Sequence, residues 1–552
     1  MNKKVCSFPI LFALLALLIG TCAVVFPASA QAAPTSTGSI TVSGTVASSY
    51  DAYQIFSANV VDGDSDAKIA TDLAWASDAA LPVLHSAGMP NSQTTAQEAA
   101  EWLNTDSHLT SALSAQLARS LQSSGAVPVA LNAGTAAELP CGYWLIVADD
   151  DAIAQGEAGT APIMALVGGS AVTVKPKAAT PKVAKHVLED STAAWQKAAD
   201  ATVADDLYWR LSATVPSGLT AYDTYTVRFV DTMSAGLDSS KVAASMRVYA
   251  AAGADGGFGA VSAGKDGRAG TEPAKGWTDI TAQCAIKVAA DGKTFTVRTG
   301  DLIAALGGAD AFAAGARVVA VYNAPLNGAC NHGIAKGNPN EAYLRYPRSP
   351  LADQSGDAGF TRTPSDDACA YTWDLALTKR GSDGDKPLAG AVLSIADDRG
   401  RTLAADGTWD AEGKATVTTG EDGRVTVSGV DSGKLEVREL KAPKGYTAFE
   451  GTRSVTVKAE GLDVDQVVAA KPKLSITAES PLRADSADGS TGSLEASLIN
   501  TPTGTPPSIT TGGFMPSTGD MAMYAAAAAA VAGAALIVVA LLVKRGGGSH
   551  KE

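Results

Sequence analysis

Apolar residues fall at every second position through much of this 552-residue chain, in short runs closed by Gly, Asp or Pro. Ile40 and Val42 alternate in this way, as do Val172 and Val174, Leu375 and Leu377, and Leu494, Ala496 and Leu498. A period of two places one face of a strand in a core and the other in solvent. A helix needs a period near 3.6, which few segments offer. The chain is therefore expected to be mostly β, as tandem β-sandwiches with a small helical insertion in the N-terminal domain. That insertion reads as a helical hairpin between Thr95 and Leu121, started by a capping box of Thr95 and Glu98 with Trp102 and Leu103 on the apolar face.

The ends carry address signals. Lys3 and Lys4, the apolar stretch Ile10 to Ile19 and Ala28-Ser29-Ala30 form a secretory signal peptide over 1–30. At the other end, Met515-Pro516-Ser517-Thr518-Gly519 precedes an apolar run from Met521 to Val543 and then Lys544-Arg545. The run is long enough for a transmembrane helix, and the two cations place the tail, 544–552, in the cytoplasm. The pentapeptide resembles the LPxTG cell-wall sorting signal of Gram-positive surface proteins, with Met in place of Leu. The resemblance implies a chain that is secreted, cut by a sortase between Thr518 and Gly519, and linked to the cell wall or a pilus. Its precursor would wait in the plasma membrane.

Composition excludes several classes. The formal charge is −14, and loss of the signal peptide removes two lysines and no acids. Such an acidic chain does not suit nucleic acid as a partner. Cys141, Cys284, Cys330 and Cys369 remain after the signal peptide, too few for a disulfide scaffold in a chain of this size. Cys330 with Cys369 or with Cys284 is one conceivable bridge, and spacing does not choose between them. No metal-ligand spacing occurs, and no cofactor is expected. His85, His108, His186, His332 and His550 are scattered, so a hydrolytic triad has no support and the chain is not expected to be an enzyme. The domains expected are 31–174, 175–350 and 371–502. Linkers are expected at 351–370, around Gln354-Ser355-Gly356, and at 503–514, where Gly, Pro and Thr cluster.

Strand parity brings three ionisable or amide groups to one core. Lys379 shares the phase of Leu375 and Leu377; Glu439 shares that of Leu435 and Val437; Asn500 shares that of Leu494, Ala496 and Leu498. Burial disfavours charge, so an inward lysine and carboxylic acid tend towards neutrality. A neutral amine can attack the asparagine carboxamide, with the acid polarising the carbonyl and shuttling protons. Ammonia leaves and an amide joins the two side chains, once per molecule.

The words around these residues are similar to known ones. Leu435-Glu436-Val437-Arg438-Glu439 through Ala442-Pro443-Lys444-Gly445-Tyr446 resembles the pilin E-box, with Leu435 and Leu440 departing from its Tyr and Thr. Pro387-Leu388-Ala389-Gly390-Ala391 is similar to the opening of immunoglobulin-like CnaB-type domains, and Ile499-Asn500 to their closing strand. In the second domain Val183, Lys185 and Val187 share one phase. Tyr225, Val227, Phe229 and Asp231 share another, and so do Asn340, Ala342, Leu344 and Tyr346. This resembles the middle domain of SpaA-type and FimA-type backbone pilins, which implies a Lys185–Asn340 amide promoted by Asp231. Asn338 is a second asparagine close by. Pro347-Arg348 stands where that family carries further asparagines.

Val172-Thr173-Val174-Lys175-Pro176-Lys177 is similar to the pilin motif Val-x-Val-Tyr-Pro-Lys. It implies that Lys177 is the amine that receives the sortase-borne Thr518 of the next subunit, with Lys175 and Lys182 as other candidates. The resemblance as a whole implies a structural subunit of a covalent surface pilus. Its partners would be sortase, neighbouring pilin subunits and peptidoglycan; a host surface ligand is left open. The alternative is a wall-anchored adhesin or minor pilin that is attached but not polymerised.

Overall fold

The computed structural model describes residues 36–504, apart from 65–66, 106, 178–179, 256–274 and 468–469. The expected signal peptide, sorting motif, transmembrane helix and tail lie outside the described residues, as does all but the start of the linker at 503–514. Among the described residues no helix is long and apolar enough to cross a membrane.

Alternation builds the first domain. In Thr37–Val42 the side chains of Ile40 and Val42 are buried. This strand pairs antiparallel with Ala136–Pro140 and parallel with Val172–Val174. A second sheet runs Lys68–Trp75, Ser49–Asp62, Gly142–Ala148, Ile163–Val167, with Val129–Asn132 also on Ser49–Asp62. Tyr50, Leu131, Trp144 and Ile146 contribute to the core shared by the two sheets. Phe56 and Leu145 instead pack with Leu84, Leu103, Leu117 and Leu121 of three helices, Ala80–Ser86, Ala96–Asn104 and Ser111–Ser123. The Thr95 hydroxyl accepts from Glu98 N at 3.2 Å while the Glu98 carboxylate accepts from Thr95 N at 2.9 Å, the reciprocal cap read from the sequence. The helix Ala80–Ser86 was not legible: it is short and has no side-chain cap.

The second domain is a larger sandwich. One sheet orders Ala194–Gln196, Lys182–Glu189, Tyr208–Val215, Ala316–Asn323, Arg247–Ala252 and Thr278–Asp279. The other orders Ala198–Asp200, Asp366–Tyr371, Asn338–Pro347, Arg228–Met233, Thr294–Arg298 and Ala285–Val288, and Phe360–Arg362 also pairs with Asn338–Pro347. Trp209, Phe229, Phe295, Leu344 and Tyr346 fill the space between.

This corrects the linker expected at 351–370. Gln354 accepts from Thr226 N at 3.1 Å and donates to Thr224 O at 2.7 Å, and Arg228 is paired with Asp357. Phe360–Arg362 and Asp366–Tyr371 then pair with the two ends of the asparagine strand, both along the edge away from Arg228–Met233. Gly- and Ser-rich composition signals turns, and here the turns connect strands of the same sandwich rather than separate domains.

In the third domain Arg424–Val430, Trp373–Gly381, Ser493–Pro502 and Tyr446–Thr447 form one sheet, with Leu482–Asp488 also on Ser493–Pro502. The facing sheet runs Trp409–Asp410, Thr402–Leu403, Val392–Ala396, Gly433–Lys441, Thr452–Glu460 and Lys473–Ala478, with Val417–Thr418 on Val392–Ala396. The first and last strands, Trp373–Gly381 and Ser493–Pro502, are parallel neighbours.

Polar contacts tie the domains together. Arg119 pairs with Asp223 at 2.8 Å and donates to Pro350 O at 3.2 Å, and the Tyr346 hydroxyl donates to Gly156 O at 2.8 Å. Between the second and third domains, the Trp373 indole donates to Asp200 Oδ2 at 2.6 Å, and Arg399 and Arg401 pair with Asp205.

Candidate functional site

Lys379 follows Leu375 and Leu377 into the core of the third domain, and its side chain is fully buried. Its backbone N–H donates to Gly423 O at 2.8 Å. Gly423 has φ +72°, and a Cβ there would lie 2.7 Å from Leu388 N and 2.9 Å from Lys379 O, so the turn that seats the lysine requires glycine. Asn500 lies on the parallel neighbour, opposite Gly381. Glu439 reaches in from the facing sheet. Lys379 Nζ is 3.3 Å from Glu439 Oε1. Asn500 Nδ2 donates to Glu439 Oε1 and Oε2 at 2.9 and 3.1 Å. The three residues named from strand parity thus meet in one buried cluster.

The hydrogen-bond direction differs from the sequence expectation. The acid faces the Asn500 amide nitrogen rather than its carbonyl, and Asn500 Oδ1 is buried without a partner. Parity fixes which face a side chain occupies but not the rotation of its terminal amide. The carboxyl group therefore lies between the attacking nitrogen and the departing one, where it can take a proton from the first and deliver it to the second. Burial pushes the Lys379 amine down to about 8, against the opposing pull of Glu439. About a tenth is then a neutral nucleophile at about pH 7, far more than for an ordinary lysine.

The second cluster lies between the two sheets of the middle domain. Lys185 comes from Lys182–Glu189 in one sheet, and Asp231 and Asn340 from adjacent strands of the other. All three are wholly buried. Lys185 Nζ is in direct contact with Asp231 Oδ2 and lies 5.4 Å from the Trp209 ring centroid. Burial pulls the Lys185 amine down and pushes the Asp231 carboxyl up, the latter against the pull of Lys185, Tyr322 and Asn340. Both groups move towards their neutral forms. Asn338 is engaged elsewhere: its amide donates to Asn331 O and Ala370 O at 2.8 and 3.2 Å and accepts from Asn331 N at 2.8 Å.

Tyr322 is a member that the sequence reading missed. Its hydroxyl accepts from Lys185 Nζ at 2.7 Å and from Asn340 Nδ2 at 2.9 Å, and donates to Asp231 Oδ2 at 2.8 Å. The signal was present in its strand, where Tyr322 shares the phase of buried Ala316, Val318 and Ala320.

Lys177 is exposed, three residues beyond Val174, whose carbonyl accepts from Ser43 N at 2.8 Å. Lys175 and Lys182 are exposed as well, so accessibility does not choose among the three. Thr518 and its motif lie outside the described residues. Cys141, Cys284, Cys330 and Cys369 are free thiols, and neither conceivable bridge of Cys330 is formed.

Residues 374–471 match the family described as "SpaA: Prealbumin-like fold domain". This segment lies in the third domain and contains Lys379 and Glu439. The chain is 31% identical over 129 residues to the trypsin-resistant surface T6 protein of Streptococcus pyogenes serotype M6, covering 22% of each chain. It thus spans about a fifth of the length of the curated relative it matches. Among solved structures it is similar to the T6 backbone pilin of the same serotype, with 17% identity, a TM-score of 0.46, and coverage of 85% of this chain and 98% of that one. It is also similar to the full-length major pilin SpaD of Corynebacterium diphtheriae, with 15% identity, a TM-score of 0.42, and coverage of 86% and 100%. The first of these structures is described as a backbone pilin and the second as a major pilin.

Proposed function

We propose that this chain is a structural subunit of a covalent cell-surface pilus, with one internal amide in each of its second and third domains. The observation that carries the reading is the pair of buried lysine–acid–asparagine clusters, Lys185–Asp231–Asn340 and Lys379–Glu439–Asn500. Outside such a reaction, burying these groups together is costly. In each cluster the lysine nitrogen attacks the asparagine Cγ, the C–N bond to the amide nitrogen breaks, and one proton passes from the lysine nitrogen to the departing ammonia. No enzyme or cofactor takes part.

Polymerisation is the work of a sortase. Its cysteine displaces Gly519 from Thr518, and the Thr518 acyl group moves to Lys177 of a neighbouring subunit. Transfer to the peptidoglycan cross-bridge amine instead fixes the fibre to the wall. The membrane span keeps the precursor at the sortase until then.

Intact mass tests the reading directly. The secreted region should fall short of its sequence mass by one ammonia per crosslink (about 17 Da each). A mass equal to the sequence mass would reject both internal bonds and leave a tethered surface protein.

A further inference from the structure

The two clusters solve one chemical problem with acids of different length. Glu439 touches both reacting nitrogens of its cluster: Oε1 is 3.3 Å from Lys379 Nζ and 2.9 Å from Asn500 Nδ2. Asp231 is one methylene shorter and holds Lys185 in direct contact. In its cluster the departing nitrogen, Asn340 Nδ2, donates to the Tyr322 hydroxyl at 2.9 Å. That hydroxyl also receives Lys185 Nζ at 2.7 Å and donates to Asp231 Oδ2 at 2.8 Å. One oxygen thus touches the nucleophile, the acid and the leaving group.

We propose that Tyr322 is a catalytic residue of the middle domain, the proton relay between Asp231 and the amide nitrogen of Asn340. This deepens the crosslinking reading above and rests on it. The pair begins as a neutral amine and a protonated Asp231. Lys185 Nζ attacks Asn340 Cγ and becomes a positively charged nitrogen on a tetrahedral carbon. Attack makes Asn340 Nδ2 pyramidal and basic, so the Tyr322 hydroxyl turns from Asp231 Oδ2 to donate to it; Asp231 then passes its proton to the Tyr322 oxygen as Tyr322 passes its own to Asn340 Nδ2. Asp231 Oδ2 then takes the surplus proton from Nζ. The Cγ–Nδ2 bond breaks, ammonia leaves, and Tyr322 and Asp231 return to their starting protonation states. No external acid, base or oxidant is used.

The position suits a relay rather than packing alone. Tyr322 is wholly buried, where a hydroxyl without partners would be destabilising. Its ring is already fixed by Phe295, edge to face at a centroid distance of 4.8 Å. Phenylalanine would keep that contact and remove only the oxygen. Asn340 Oδ1 and Asp231 Oδ1 are both buried without partners, so the amide and the acid each keep a free oxygen while the proton path runs through the opposite atoms.

The test uses the full chain, kept in denaturant from synthesis so that neither amide has formed, and follows the peptide that joins Lys185 to Asn340 by mass spectrometry after folding is started. The Lys379–Asn500 crosslink serves as an internal clock. Tyr322→Phe should slow the middle-domain crosslink by about a hundredfold and leave the other unchanged. Adding Asp231→Glu to Tyr322→Phe should restore much of the rate, because the longer acid reaches the amide directly, as Glu439 does. An unchanged rate in Tyr322→Phe overturns the relay. So does loss of the crosslink together with loss of the middle domain's near-ultraviolet dichroism, which would make Tyr322 a packing residue. If the wild-type chain itself never joins Lys185 to Asn340, the failure lies in the crosslinking reading, and the relay falls with it.

Discussion

Glu439 and Asn500 belong to opposite sheets of the third domain, yet the asparagine's amide nitrogen lies 2.9 Å from a carboxyl oxygen of the glutamate. Closing the sandwich therefore assembles the site. Folding must come first and the covalent step second, because neither sheet holds all three groups alone.

Removing any member of the cluster should stop the bond without dismantling the sheets. Glu439→Gln keeps the size of the side chain but cannot accept and return a proton. The intact mass should rise by about 16 Da relative to the wild type, one retained ammonia (about 17 Da) less the roughly 1 Da by which glutamine is lighter than glutamic acid. The uncrosslinked domain should lose roughly 4–5 kcal/mol of stability, taking loop closure by a disulfide as the guide. Mass spectrometry and denaturant titration of the same sample check both statements.

The crosslinking rate of the third domain should depend on pH through Lys379. Its amine is pushed down to about 8 by burial. The neutral, nucleophilic fraction rises with pH and levels off above that value. Well below it the rate should fall about tenfold per pH unit. Starting folding at a series of pH values from chain kept in denaturant since synthesis, with the Lys379–Asn500 peptide quantified over time, measures the profile. A flat profile between pH 6 and about 8 would contradict a titrating Lys379.

Polymerisation should depend on Lys177 alone among the exposed lysines near the junction of the first two domains. Lys177→Ala should abolish the high-mass ladder on denaturing gels while single subunits remain on the wall. Lys175→Ala and Lys182→Ala should leave the ladder intact. A ladder that survives Lys177→Ala moves the junction to another lysine. A wild-type chain with no ladder at all favours an attached but unpolymerised surface protein.

The joint between the second and third domains should weaken as pH rises. Burial, then Asp200, then Asp190, push the Glu189 carboxyl up to about 7 from an ordinary 4.5. The folded state therefore holds this proton more tightly than the unfolded one. The resulting stabilisation is full below about 4.5 and is lost as pH rises through about 7. Glu189→Gln should flatten thermal stability across that window and raise it at pH 8. An unaltered pH dependence in the variant would exclude Glu189 as its source.

Strand parity carried much of the reading. Lys379, Glu439 and Asn500 each follow a buried apolar pair at a spacing of two, so a polar residue in a core phase was visible without coordinates. Asp231 likewise follows Val227 and Phe229, whereas Lys185 lies between Val183 and Val187 and Asn340 precedes Ala342 and Leu344, all at the same spacing. Tyr322 obeyed that spacing too, but tyrosine is commonplace in a β core and its phase drew no attention. The region 351–370 misled because its Gly, Ser and Asp residues signal turns, whereas the pairing of Asp366–Tyr371 with Asn338–Pro347 depends on partners about thirty residues apart. Amide rotation in Asn500 follows from the third dimension alone.

The two clusters join different kinds of neighbour. Lys379 and Asn500 lie on adjacent parallel strands of one sheet, whereas Lys185 and Asn340 face each other from two sheets. With both amides made, traction along a fibre would pass from Lys177 to Lys185, across to Asn340, on to Lys379 and across to Asn500. Every residue between each lysine and its asparagine would then be slack. Those stretches hold most of the turns of both domains, so the outward face of the fibre would be free to diversify in sequence, even to acquire insertions, at no cost in tensile strength.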